Sequence, residues 1–115
     1  MRNSLVFGII GVSLLALSAC TSVPPVAEIP AAIANASTSA DHQRIADYFA
    51  EKAASYDAEV VFHEKMAKSY FGRNNNKSDP AAWIAHCNAL KQKFSEAAQE
   101  VRALERAHRQ LAGAQ

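Results

Sequence analysis

The sequence predicts an all-α fold, an antiparallel two-helix hairpin of long amphipathic helices over residues 39–71 and 80–112. Three observations predict it. Core-type residues recur at Ile45, Phe49, Ala53, Tyr56, Val60, His63, Ala67 and Tyr70. Their steps of three and four are the period of one helix face. A second run, Trp83, Cys87, Leu90, Phe94, Ala97, Val101, Leu104, His108 and Leu111, alternates steps of four and three without a break. Such a heptad seam predicts a left-handed, coiled-coil-like crossing. Between the runs, Gly72 to Asp79 holds no apolar residue, so the helices are expected to meet across a short polar turn.

Each element has its own local signals. Residues 20–38 hold Pro24, Pro25 and Pro30 among Ala, Val and Ser. They read as a linker, extended and semi-rigid, that spaces the folded part from whatever precedes it. Ser37, Thr38 and Ser39 are candidate N-caps for the first helix, and Thr38 with Asp41 fits a capping box. Asp41, Asp47 and Glu51 lie toward its start, and Lys65, Lys68 and Arg73 toward its end. That polarity suits the helix macrodipole, and Gly72 is a natural stop. Asp79-Pro80 reads as an N-cap followed by proline at the first helical position. Glu64 with Lys68, and Glu105 with Arg109, are favourable pairs four residues apart.

Two helices alone bury a narrow stripe each, and several stripe residues are alanine. Ala46, Ala50, Ala54, Ala58, Ala98 and Ala103 add a further small-residue surface. A chain of this size is marginal in core volume. Dimerisation into a four-helix bundle would complete the core, so a homodimer is expected.

The first residues read differently. Arg2 precedes Leu5 to Leu17, a stretch with no charge, and Leu17-Ser18-Ala19-Cys20 ends it. The stretch is too short to span a bilayer and has the layout of a secretory signal peptide over residues 1–19. The cysteine at the cleavage point resembles the lipobox of bacterial lipoproteins. That resemblance implies removal of Met1 to Ala19 and acylation of Cys20, with the lipid as membrane anchor. Thr21, in place of an aspartate, favours the outer membrane, facing the periplasm, in a Gram-negative host.

Composition narrows the function classes. Lys and Arg number 12 against 11 Asp and Glu. Removing the segment with Arg2 brings them level, which argues against nucleic acid as a partner. With Cys20 acylated, Cys87 is the one free thiol. Its expected fates are burial, metal ligation or a disulfide with a second copy.

Four histidines lie in or beside the seams. Around a central turn, antiparallel partners have numbers summing to about 150. One layer then holds His63, Met66, His86 and Cys87, and another holds His42 and His108. The first has the ligand chemistry of a Cu(I) or Zn(II) site on facing helices. The competing reading is a set of seam residues, with Cys and Met as packing groups. His86 and Cys87 are neighbours and point about a quarter turn apart. The aromatic residues read as core, with Tyr70 and Trp83 at the turn end, and with Tyr48 and Phe62 off the stripe. Arg102, Arg106 and Arg109 read as complements of the helix dipole. There is no Gly-rich phosphate loop, nucleophile elbow or paired-carboxylate pocket, so no enzyme is expected.

The stretch Asp41-His42-Gln43-Arg44-Ile45-Ala46-Asp47-Tyr48 opens a longer pattern. It continues through His63-Glu64-Lys65-Met66-Ala67, His86-Cys87-Asn88-Ala89-Leu90 and Leu104-Glu105-Arg106-Ala107-His108-Arg109. It is similar to small uncharacterised proteobacterial lipoproteins over roughly Asp41 to Leu111. The resemblance implies a helical, lipid-anchored envelope protein and brings no catalytic or ligand residues with it. The expected role is an interaction or structural module, with periplasmic Cu or Zn binding as the alternative.

Overall fold

A computed structural model describes residues 24–71 and 79–114. The expected signal segment, Cys20, Thr21 and the expected turn at 72–78 lie outside the described residues. In order come a 3-10 turn, Val26–Glu28, then helix α1, Ile29–Asn35, α2, Ser39–Tyr70, and α3, Pro80–Gly113. No strand is present among the described residues. The two long helices pack together, and of these α1 packs on α2 only.

The helix starts follow their capping chemistry. Asp41 N–H donates to Thr38 Oγ1 at 3.1 Å, and Thr38 N–H donates to Asp41 Oδ2 at 3.0 Å. This reciprocal box satisfies donors that the first turn leaves without partners. Ser37 N–H donates to the same carboxylate at 3.1 Å. The Thr38 side chain first, then the Ser37 and Thr38 amides, hold the Asp41 carboxyl below its ordinary range. For α3, Asp79 Oδ1 accepts from Ala81 N–H at 3.0 Å, with Pro80 at the first helical position.

Residues 26–35 correct the expectation of an extended linker. Pro30 sits in the first turn of α1, where its missing N–H has no intrahelical acceptor to lose. The helix folds back along α2. Ala32 and Asn35 border Asp41, Arg44 and Ile45, and Pro24 to Val26 border Tyr48, Glu51, Lys52 and Ser55. Ile29 and Ile45 are buried where this layer lies.

α2 and α3 run antiparallel. Ser39 Oγ donates to the Ala112 carbonyl at 2.7 Å at one end, and Tyr70 stacks on Trp83 at 6.3 Å at the other. α2 presents two columns to α3. One is wide, with His42, Phe49, Tyr56, His63 and Tyr70 every seventh residue. The other is narrow, with Ala46, Ala53, Val60 and Ala67. The three alanines are buried. Each α3 ring in the seam lies against two α2 rings. Phe94 is 6.0 Å from Tyr56 and 5.5 Å from His63, and His108 is 5.3 Å from His42 and 5.8 Å from Phe49.

The α3 seam departs from expectation on one side. Cys87, Phe94, Val101 and His108 face α2 in the predicted column, and Ala98 is buried beside them. Trp83, Leu104 and Leu111, expected in the seam, are 48%, 47% and 47% exposed. The Phe94 column has the wholly apolar Ala97 column on one side and, on the other, the column of Ile84, Lys91, Ala98, Glu105 and Ala112; the structure closes on the one containing Ala98. On that edge Arg102 pairs with Asp57, and Arg109 Nη1 reaches Asp47 Oδ1 at 3.3 Å. These cross-helix pairs replace the purely dipolar role expected of the arginines. Solvent-exposed pairs contribute roughly 0–1 kcal/mol each, so they add to the choice of this edge without deciding it alone.

Ala53→Leu tests the narrow column. Three extra heavy atoms cannot be placed at a buried alanine without separating the helices. Overpacking of this kind destabilises by about 1–3 kcal/mol. The expected result is a lower midpoint in thermal unfolding followed by circular dichroism, with the exposed neighbour Ala54→Leu leaving it nearly unchanged.

Candidate functional site

The densest set of titratable groups lies where the start of α2 meets the end of α3. His42 is buried on α2 and His108 half-buried on α3. Their Nδ1 atoms are 3.1 Å apart, a hydrogen-bond distance. One nitrogen must carry the proton and the other accept it, so the neutral pair is complementary when one ring is the Nδ1–H tautomer and the other the Nε2–H tautomer. Phe49 covers His108 from the next heptad, and Ser39 ties the chain end to Ala112. Asp47, Glu105 and Arg109 form the charged rim, with Arg109 Nε donating to Glu105 Oε1 at 2.9 Å. Those two carboxylates raise the Arg109 guanidinium above its ordinary value, Glu105 most strongly.

Burial first, and the neighbouring His42 second, push His108 below the ordinary imidazole value. The folded chain therefore takes up a proton at His108 less readily than the unfolded chain. That difference contributes stability above the unfolded imidazole pKa, and the contribution is lost as pH falls through the lowered folded value. Protonating both rings would also aim two Nδ1–H groups at each other.

The His63, Met66, His86 and Cys87 set does not assemble. His63 and Cys87 are buried in the seam, Met66 is half-buried on its flank, and His86 is exposed. The reason is the one-residue offset between His86 and Cys87, which turns them to different faces of α3. Among the described residues, no group of three or more His, Cys, Asp or Glu side chains is placed to hold a metal. His63 instead stacks on Phe94 with ring planes 13° apart. Its Nε2 is 3.7 Å from Glu59 Oε2, and its buried Nδ1 has no hydrogen-bond partner. Cys87 is a free, buried thiol.

Two further features belong to the surface. An open groove between α2 and α3 is lined by Val60, Glu64, Lys91, Gln92, Ser95 and Gln99, with carboxylate and ammonium groups mixed along it. Phe62, off the stripe as expected, is 55% exposed, whereas Tyr48 is half-covered by the 3-10 turn. The His42–His108 layer was visible in the antiparallel numbering. The pairing of Asp47 and Asp57 with the α3 arginines was missed, because that numbering places neither aspartate opposite its arginine. Comparison with protein-family models, curated proteins and solved structures finds no match for the chain.

Two outcomes follow for the histidines. The unfolding midpoint should fall as pH is lowered below about 6.5, the ordinary imidazole value. His108→Gln should flatten that part of the profile, and an unchanged slope would remove His108 from the account. His63→Phe should keep the stack on Phe94 and delete the unpartnered nitrogen. An unsatisfied buried polar atom costs about 1–3 kcal/mol, so this variant should melt higher than the parent.

Proposed function

We propose that this chain is a lipid-anchored protein of the bacterial cell envelope that works as a helical interaction module. In this reading residues 72–78 close α2 and α3 into an antiparallel hairpin. Acylated Cys20 holds it at the outer membrane, on the periplasmic side. The observation that carries the reading is the set of large apolar side chains exposed on the paired helices. Val61, Phe62, Trp83, Leu104 and Leu111 are each about half exposed. Rows of apolar residues on a preformed helical surface are the signature of helix-mediated association. The lipobox-like Leu17-Ser18-Ala19-Cys20 supports the anchor, since a single cysteine follows small residues at the end of a short uncharged stretch. Among the described residues no helix is long and apolar enough to cross a membrane. More than one acyl chain is needed for stable attachment by lipid alone.

The anchor is tested by feeding cells an alkyne-tagged palmitate and fractionating their membranes. The full chain should take up the label and sediment with the outer membrane. Cys20→Ser should lose the label and leave the membrane pellet. A labelled Cys20→Ser protein, or an unlabelled parent, would overturn the assignment. Thr21→Asp should shift the labelled protein toward the inner-membrane fraction.

A further inference from the structure

We propose that the outer apolar column of α3 is the docking surface for a second copy of this chain, paired antiparallel about Ala97. The proposal rests on the interaction-module reading and names its partner; it does not depend on the lipid.

The column comprises Trp83, Leu90, Ala97, Leu104 and Leu111, each seven residues from the next. Helix geometry places it as one stripe along α3, beside the seam. α1 leaves it open, because α1 packs on α2 and not on α3. Trp83, Leu104 and Leu111 are about half exposed, and Leu90 and Ala97 are half-buried.

The stripe is self-complementary. Outward from Ala97, a leucine comes first in both directions, Leu90 on one side and Leu104 on the other. Next come two more large apolar residues, Trp83 and Leu111. Two copies of α3 laid antiparallel put Ala97 against Ala97 at the two-fold axis. Leu90 then meets the second copy's Leu104, and Trp83 meets its Leu111. The smallest side chain falls where the helices come closest. This is an isologous contact, in which each patch meets its own copy.

Charge selects the same alignment. The column just outside the stripe carries His86, Lys93, Glu100 and Ala107. Lys93 and Glu100 are exposed, and neither belongs to an ion pair among the described residues. They flank the same centre, three or four residues either side. The antiparallel alignment sets Lys93 of each copy opposite Glu100 of the other, twice. A parallel alignment would put the two columns on opposite sides of the contact, where neither pair can form. Opposite charges facing each other therefore favour the antiparallel arrangement. The other edge of the helix pair is occupied by Arg102 with Asp57 and by Arg109 with Asp47, which leaves the apolar edge for the second copy.

The test uses the full chain in native membranes, in a Cys87→Ser background that removes the buried thiol. Ala97→Cys is added and a mild oxidant applied. A position on the two-fold axis brings two β-carbons within disulfide reach. The expected product is a disulfide-linked species of twice the mass, with the Cys87→Ser parent and an Ala103→Cys control, on a different face of α3, staying at single mass. Lys93→Glu or Glu100→Lys, added singly to the Ala97→Cys chain, should lower the cross-linked fraction by roughly threefold. The Lys93→Glu/Glu100→Lys double exchange should restore it, which a folding defect would not do. No cross-link at Ala97, a cross-linked product of another mass, or a double exchange that fails to restore the dimer would each overturn the proposal. Cross-linking that survives in a chain without palmitate label would remove the anchor and keep the dimer.

Discussion

Everything in this molecule depends on a wide side chain standing beside a narrow one at every heptad of α2. His42, Phe49, Tyr56, His63 and Tyr70 form the wide column, and Ala46, Ala53 and Ala67 are three of the four residues in the narrow one. The alanines let α3 approach closely, and the rings then have one place to go, between the rings of the facing helix. Phe94 and His108 each sit against two successive α2 rings. A slip of the helices by one turn would set rings against alanines and leave gaps that a close-packed interior does not tolerate. Shape complementarity therefore sets the register, and the arginine–aspartate pairs on one edge reinforce it.

The same close approach explains the polar groups in the seam. A ring position can be filled by imidazole as well as by phenyl, provided its nitrogens are accommodated. His42 and His108 accommodate each other across the interface. His63 gains its stacking on Phe94 but leaves Nδ1 without a partner. The seam thus mixes a mutually satisfied pair of imidazoles with one unsatisfied imidazole, and its strength varies along its length and with pH. The histidine pair lies at the end of α2 near α1, so the pH dependence that His108 brings is felt at that end of the rod.

Much of this was legible in the residue pattern. The α2 seam emerged from its spacing because one apolar stripe stood out from a polar background. Thr38 with Asp41 and Asp79 with Pro80 marked the helix starts because capping is local chemistry. The His42–His108 layer needed only antiparallel numbering. What the pattern misplaced was the side of Phe94 on which α3 closes, since it favoured the wholly apolar Ala97 column over the Ala98 column with its Lys91 and Glu105. Long-range partners decided it, and sequence spacing within one helix does not contain them. The metal-type layer failed for a local reason, the adjacency of His86 and Cys87. The helix at 29–35 was hidden by Pro30 and the prolines before it, Pro24 and Pro25, although Pro30 occupies the one helical turn that admits it without loss.

The folded-back course of α1 bears on posture. It returns the chain to the flank of α2, so that Pro24 lies near Tyr48 and Ser55, well inside the rod rather than at its tip. Cys20 is only four residues upstream of Pro24, a span of at most roughly 14 Å at full extension. With Cys20 as the proposed anchor, so short a leash attached partway along favours a rod lying along the bilayer over one standing upright from it. The protein would then behave less like a mast on a long rope than like a boat moored amidships. It would offer its long side, not its end, to whatever passes in the plane of the membrane.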